Sequence, residues 1–342
     1  SSYIILEGGI FLKKKIIIIL IALIVLVGVS LILIKVFDKK EDSSLTKVRL
    51  AEVTHSSFYA PLYVAIENGY FEEEGIDLEL ILTPGADKVS AAVLSNDVEI
   101  GFAGAESAIY VYNQEESDYL RIFSGLTKRD GQFIVARDNY EDFSLEDLYG
   151  KEILVGRSTG MPALNFLNGL KNMGIDIDKI NINYSVEFAA LSGSFIGGTG
   201  DFVNLFEPNA TSLEENGYGH VVASVGVMSG EVPYTAFYAR KSYIEENPEI
   251  IEGFTKAIAK AITYTLENDA TKVAEDIIDQ FPDTDVSELA LMIDRYKEYD
   301  CWLENPFVSE ELFTNLEDFL IDFDLLSDYV PYEDLVNNFY EK

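Results

Sequence analysis

One stretch constrains the fold more than any other. It is Val48 to Phe71, V-R-L-A-E-V-T-H-S-S-F-Y-A-P-L-Y-V-A-I-E-N-G-Y-F. Val48, Leu50 and Val53 are apolar and are broken by Arg49 and Glu52, which reads as a strand. Thr54 to Ser57 is a polar turn, and a helix follows from Ala60 or Pro61 to Asn68. Pro61 suits a first helical turn, where the amide it lacks has no partner. Gly69 suits the left-handed position past a helix end. In open α/β sheets such a loop lies at the carboxyl end of its strand, where ligands bind. Gly101 to Ser107, read with its flanks as E-I-G-F-A-G-A-E-S-A, repeats the pattern. Two such turns from one sheet can face the same crevice.

Strand and helix alternate onward, which predicts a parallel α/β sheet. Gln132 to Arg137 (Q-F-I-V-A-R) is mirrored by Thr235 to Arg240 (T-A-F-Y-A-R). The pair reads as the two strands on which the chain crosses between lobes, or else as unrelated strands that both end in Ala-Arg. The first reading gives lobe 1 as residues 48–134 and 238–342, and lobe 2 as 135–237. Beyond Arg240 the character turns helical. Asn247 reads as a cap and Pro248 as the first helical residue. Ile250, Ile251, Phe254, Ala257, Ile258, Ala261 and Ile262 then recur at helical spacing. Later helices are expected at 270–280, 286–300, 309–320 and 332–340.

Ile16 to Ile34 is apolar and uncharged, long enough to span ~30 Å of hydrocarbon at ~1.5 Å per residue. Lys13, Lys14 and Lys15 precede it, which favours a cytoplasmic N-terminus. Residues 16–37 read as an uncleaved signal anchor, 1–15 as a cytoplasmic segment and 38–47 as a tether, so the soluble domain is expected outside the cell membrane. Glu7-Gly8-Gly9 is what a ribosome-binding purine run would encode. Residues 1–11 are therefore expected to be untranslated, with Leu12 read from a UUG start.

The net charge of −34 among 342 residues repels phosphates and argues against a nucleic-acid partner. Cys301 is the only cysteine, so no internal disulfide or cysteine metal cluster can form. The chain carries neither the H-E-x-x-H nor the phosphate-loop pattern.

F-Y-A-P-L-Y-V-A-I-E-N-G-Y-F-E-E-E-G-I-D-L-E-L resembles the opening of the periplasmic binding proteins for nitrate, taurine, alkanesulfonates and thiamine-precursor pyrimidines. D-V-E-I-G-F-A-G-A-E-S-A resembles that family's second ligand turn, and F-I-G-G-T-G-D-F-V-N-L-F-E-P-N-A its lobe-2 strand and turn. The resemblance implies a type II periplasmic-binding-protein fold, two α/β lobes joined by two crossover strands, here preceded by one transmembrane helix. It implies a monomeric, cofactor-free receptor that delivers a small solute to an ABC permease and its ATPase. The eukaryotic thiamine-pyrimidine synthases resemble the same opening but use iron with clustered cysteines. The solitary Cys301, in Y-D-C-W-L-E-N-P, departs from that, so the chain reads as a non-enzyme without a metal. Gene-neighbourhood logic leaves a tethered sensor as a rival.

The candidate solute-binding residues fall in the loops. His55, Ser56, Ser57, Phe58 and Tyr59 offer a hydrogen-bonding rim with aromatic walls. Gly104, Ala105, Glu106 and Ser107 present amides at a helix start, although Glu106 could simply cap its own helix. Ser158, Thr159 and Gly160 could hold an anionic group or act as an ordinary cap. Phe206 and Glu207 stand where the resemblance places a lobe-2 wall. Phe188 and Tyr234 complete the set, with a core role as their alternative. Arg129 and Arg157 are the cations nearby in sequence. Two carboxylates among many aromatics suit a planar nitrogen heterocycle, a pyrimidine or other vitamin precursor, better than sulfonate, taurine or nitrate.

Overall fold

The computed structural model describes residues 45–158 and 160–340. The apolar run at 16–34, the segments read as untranslated and as a tether up to residue 44, and Thr159 lie outside them. Among the described residues no helix is long and apolar enough to cross a membrane.

Among the described residues ten strands form two five-stranded sheets. The first begins with β1 (Thr46–Glu52), β2 (Ile76–Leu82), β3 (Ile100–Gly104) and β4 (Leu120–Thr127). The second holds β5 (Phe133–Ala136), β6 (Glu152–Leu154), β7 (Asn181–Asn183), β8 (Phe202–Leu205) and β9 (His220–Ser224). β10 (Thr235–Arg240) returns to the first sheet. The orders are β2-β1-β3-β10-β4 and β7-β6-β8-β5-β9. The chain therefore leaves the first sheet after Thr127 and comes back at Thr235.

Both sheets are mixed, where the alternation of elements predicts parallel ones. β10 runs antiparallel to β3 and β4, and β5 runs antiparallel to β8 and β9. The reason is geometric. A strand entered from the other lobe starts at the crevice, where its neighbours end. The matched Ala-Arg segments are these two strands, the first after each crossing. The crossings themselves are residues 128–132 and 230–234, the second following the helix Val225–Ser229, which packs in the second lobe's core.

Helices cover both faces. Ala60–Glu67 follows β1, and Gly69 takes φ 70°, as its place after a helix requires. The long helix Pro248–Glu267 buries Ile251, Phe254, Ala257, Ile258, Ala261 and Ile262 against the first sheet. Phe254 meets Phe71 at 4.9 Å and Phe237 at 5.0 Å, and Phe237 stacks on Phe102 at 4.3 Å. Each such side chain contributes about 1.5–3 kcal/mol on burial. Asn247 occupies the N-cap position without capping. Its side-chain amide turns back to the Tyr243 carbonyl at 3.0 Å. The helix expected at 332–340 ends at Leu335, because Val336 pairs with Ile122 along the edge of β4.

Candidate functional site

The first turn is built by its own polar groups. Ser56 Oγ accepts from the Phe58 amide at 3.2 Å and donates to the Glu207 carbonyl at 2.6 Å, across the crevice. His55 is held on both sides. Nδ1 lies 2.7 Å from Glu52 Oε1, and Nε2 lies 2.9 Å from the Gln280 carbonyl. Both partners are acceptors, so only the imidazolium satisfies both. Burial opposes that charge, and Glu52 with Gln280 outweighs it, raising the His55 pKa. Ser57 faces Met292 in the core. His55 and Ser57 thus hold the loop in place, while Phe58 and Tyr59 form its wall.

Phe58 is fully buried. Its carbonyl accepts from Trp302 Nε1 at 2.8 Å, and its ring meets Phe206 at 5.6 Å, Tyr234 at 6.0 Å and Tyr296 at 5.0 Å. The ring lies against Gly131, where a Cβ would come within 2.6 Å of it. Phe188, 39% exposed, packs on Phe206 at 5.8 Å. Tyr59 stands edge-on to Phe102 at 4.5 Å. Residues from both lobes and both crossings therefore share one aromatic wall.

The second turn carries the charge. Glu106 is 7% exposed and starts the helix Glu106–Tyr112. Its carboxylate folds back over Gly104, where a Cβ would stand 2.1 Å from Oε2. Oε2 has no hydrogen-bond partner among the described residues. Burial pushes Glu106 up to about 7. Ser107 and Ala105 are buried beneath it, and Ser107 bonds the Tyr238 phenol. Gly104→Ala should drive the carboxylate out into solvent and return its pKa to the ordinary range, which carboxyl NMR titration of the full chain would read. An unchanged value near 7 would refute the placement.

The lobe-2 candidates divide. Ser158 is exposed, and Gly160 begins the helix Met161–Asn172 without a side-chain cap. Glu207 is buried, and its carboxylate is committed. It accepts from the Thr211 amide at 2.8 Å, Thr211 Oγ1 at 2.9 Å and Arg295 Nη1 at 2.5 Å. Burial still leaves Glu207 above its ordinary value against the pull of Arg295. Arg129 pairs with Glu231 at 2.6 Å, and Arg157 with Glu187 at 2.8 Å on the surface. Cys301 is buried, with its thiol pushed up to about 12.

Sequence reasoning missed Asp130, Gln132, Arg295, Tyr296 and Trp302. Asp130 is fully buried in the first crossing, and burial pushes it up to about 7. Its only sequence signal is the turn it shares with Gly131.

Two sheets, each with its entering strand reversed, around a crevice walled by both lobes, define a bilobal solute-binding protein of the type II fold. The model of the "NMT1/THI5 like" family matches residues 56–271. A chain from Bacillus subtilis (strain 168) that carries the name of a binding protein, YtlA, is 41% identical, covering 87% of this chain and 90% of that one. The formylaminopyrimidine-binding protein of Halalkalibacterium halodurans is 22% identical over 75% of this chain and 86% of its own length. The alkanesulfonate-binding protein SsuA of Xanthomonas axonopodis pv. citri superposes with TM-score 0.65 at 17% identity, covering 85% and 98% of the two chains. This chain belongs to the NMT1/THI5-like family.

Proposed function

We propose that the chain is the extracytoplasmic solute receptor of an ABC importer, tethered by the apolar run at 16–34. In this reading it closes its lobes on a small planar nitrogen heterocycle of the pyrimidine or vitamin-precursor class and hands it to a permease without altering it. One observation carries the ligand class. A buried carboxylate, Glu106, has an oxygen unpartnered among the described residues and lies near Tyr59 and Tyr234 of the aromatic wall. Such a wall stacks a flat ring, and such an acceptor takes a ring N–H or amino group. The formylaminopyrimidine-binding relative supports the same class. Sulfonate and nitrate receptors would want free guanidinium groups, whereas Arg129 and Arg157 are both paired with carboxylates.

Thermal denaturation of the full-length protein in detergent tests this. At a hundredfold excess over Kd, an aminopyrimidine should raise the midpoint by about 5 °C. A shift with sulfonate or nitrate alone would reverse the ligand class, and no shift with any small solute would remove the receptor assignment.

A further inference from the structure

Among the described residues Asp130 has no counter-ion. Its basic neighbours in sequence are both turned away. Lys128 pairs with Asp300 at 2.8 Å and Arg129 with Glu231 at 2.6 Å. Asp130 accepts instead from neutral donors, namely the Gln132 amide at 2.7 Å, Gln132 Nε2 at 2.9 Å and the Tyr234 phenol. Asp130 and Glu106 both lie close enough to the Tyr59 and Tyr234 phenols to raise them.

A second observation does not depend on the acids. Gln132 is fully buried. Its Nε2 is committed to Asp130 and to the Pro162 carbonyl at 3.0 Å, which leaves Oε1 beside Asp130 without a partner among the described residues. Asn204, opposite Ile134 and so two residues along from Gln132, is fully buried with both amide atoms unpartnered. Among the described residues the unmet groups here are three acceptors, Glu106 Oε2, Gln132 Oε1 and Asn204 Oδ1, and two donors, Asn204 Nδ2 and Arg129 Nε. Each is unfavourable while buried and unmet. A solute that supplies N–H groups satisfies the three acceptors.

We propose that Asp130 is a second solute-reading carboxylate, and that with Glu106 and Gln132 it selects solutes presenting a cationic N–H edge of the amidinium or protonated aminopyrimidine kind. This rests on the receptor reading above and narrows its ligand. A cationic edge meets a carboxylate with two parallel, charge-assisted bonds, roughly twice as strong as neutral ones. The segment that carries Asp130 also touches the other crossing. The Val232 amide donates to the Lys128 carbonyl at 3.0 Å. A solute held at Asp130 therefore sits on the part of the chain that joins the lobes.

The test is calorimetric titration of the full-length protein with three flat probes of one shape, benzamidine, benzamide and benzenesulfonate, with 4-aminopyrimidine alongside. Wild type should bind benzamidine at least about tenfold more tightly than benzamide, and benzenesulfonate weakest. Asp130→Asn keeps one acceptor and removes the charge. It should erase the benzamidine preference and change benzamide affinity less than about threefold. Should that variant not fold, Tyr234→Phe decides instead. It frees Asp130 of one donor and should widen the benzamidine preference. Benzamidine binding untouched by Asp130→Asn, or a preference narrowed by Tyr234→Phe, overturns the role of Asp130 and leaves the receptor standing. Benzenesulfonate binding above benzamidine overturns the donor class alone. Silence with all four probes overturns the inference together with the receptor reading.

Discussion

Replacing Arg295 with alanine should cost the folded chain about 3–5 kcal/mol, because it strands a buried carboxylate. Arg295 projects from the helix Val286–Glu298, which packs on the first turn through Met292 and Ser57. It reaches three lobe-2 groups: Glu207 Oε1 at 2.5 Å, Thr211 Oγ1 at 3.2 Å and Glu214 Oε2 at 2.7 Å. The Glu207 side chain is fully out of solvent, and that of Arg295 is only 15% exposed, so solvent screens the pair little. The backbone of Glu207 adds two more links across the crevice. Its carbonyl accepts from Ser56, and its amide donates to Tyr296 Oη at 3.0 Å, which in turn donates to the Gly131 carbonyl at 3.2 Å. Losing Arg295 should therefore loosen the closed lobes as well as destabilise the chain. Urea denaturation and the solution radius of gyration check the two effects. Arg295→Lys should recover only part of the loss, since an ammonium cannot bridge Glu207 and Glu214 as a planar fork does. A loss below about 1 kcal/mol with an unchanged radius would show that Glu207 finds water or a proton instead.

That latch explains what the sequence could and could not reveal. The turn after β1, the turn after β3 and the apolar face of Pro248–Glu267 were legible because their signals are local. A strand period, a proline at a helix start and a glycine after its end fix each one within about ten residues. The paired Ala-Arg strands were legible too, although their reversed direction was not, since direction depends on which lobe the chain enters from. Glu207 read as an open acceptor because its partner lies 88 residues away. His55 read as a rim residue for the same reason, with its second ring nitrogen answered by Gln280 from a distant helix end. Asp130 is one acid among 59 aspartates and glutamates. Nothing local distinguishes it, and only the convergence of two crossings buries it.

Between pH 5 and pH 8 the solute-free chain should lose several kcal/mol of stability, with Glu106 and Asp130 as the main cause. Both folded pKa values are raised, from 4.5 and 3.8 to about 7 in each case. A raised acid binds more protons folded than unfolded, so its stabilisation is complete below the unfolded value and is lost as pH rises through about 7. At 1.36 kcal/mol per pH interval, each group contributes about 3 kcal/mol. The groups around Glu106 are the phenols of Tyr59, Tyr110, Tyr234 and Tyr238, and those around Asp130 are Tyr59, Tyr234 and the Cys301 thiol. Each of these is pushed upward and stays neutral across the window. The acids with lowered values, Glu99, Asp118 and Asp285, act only below about pH 5, where protonation would cost their bonds. His55, also raised, loses stabilisation in the same direction. The variant carrying both Glu106→Gln and Asp130→Asn separates it from the two acids. Urea midpoints should fall from pH 5 to pH 8 in wild type and fall much less in the double variant, where only the shares of His55, Glu207, Glu288 and Glu317 remain. A wild-type midpoint that holds or rises over that range would mean that the two carboxylates are already charged and solvated in the empty crevice.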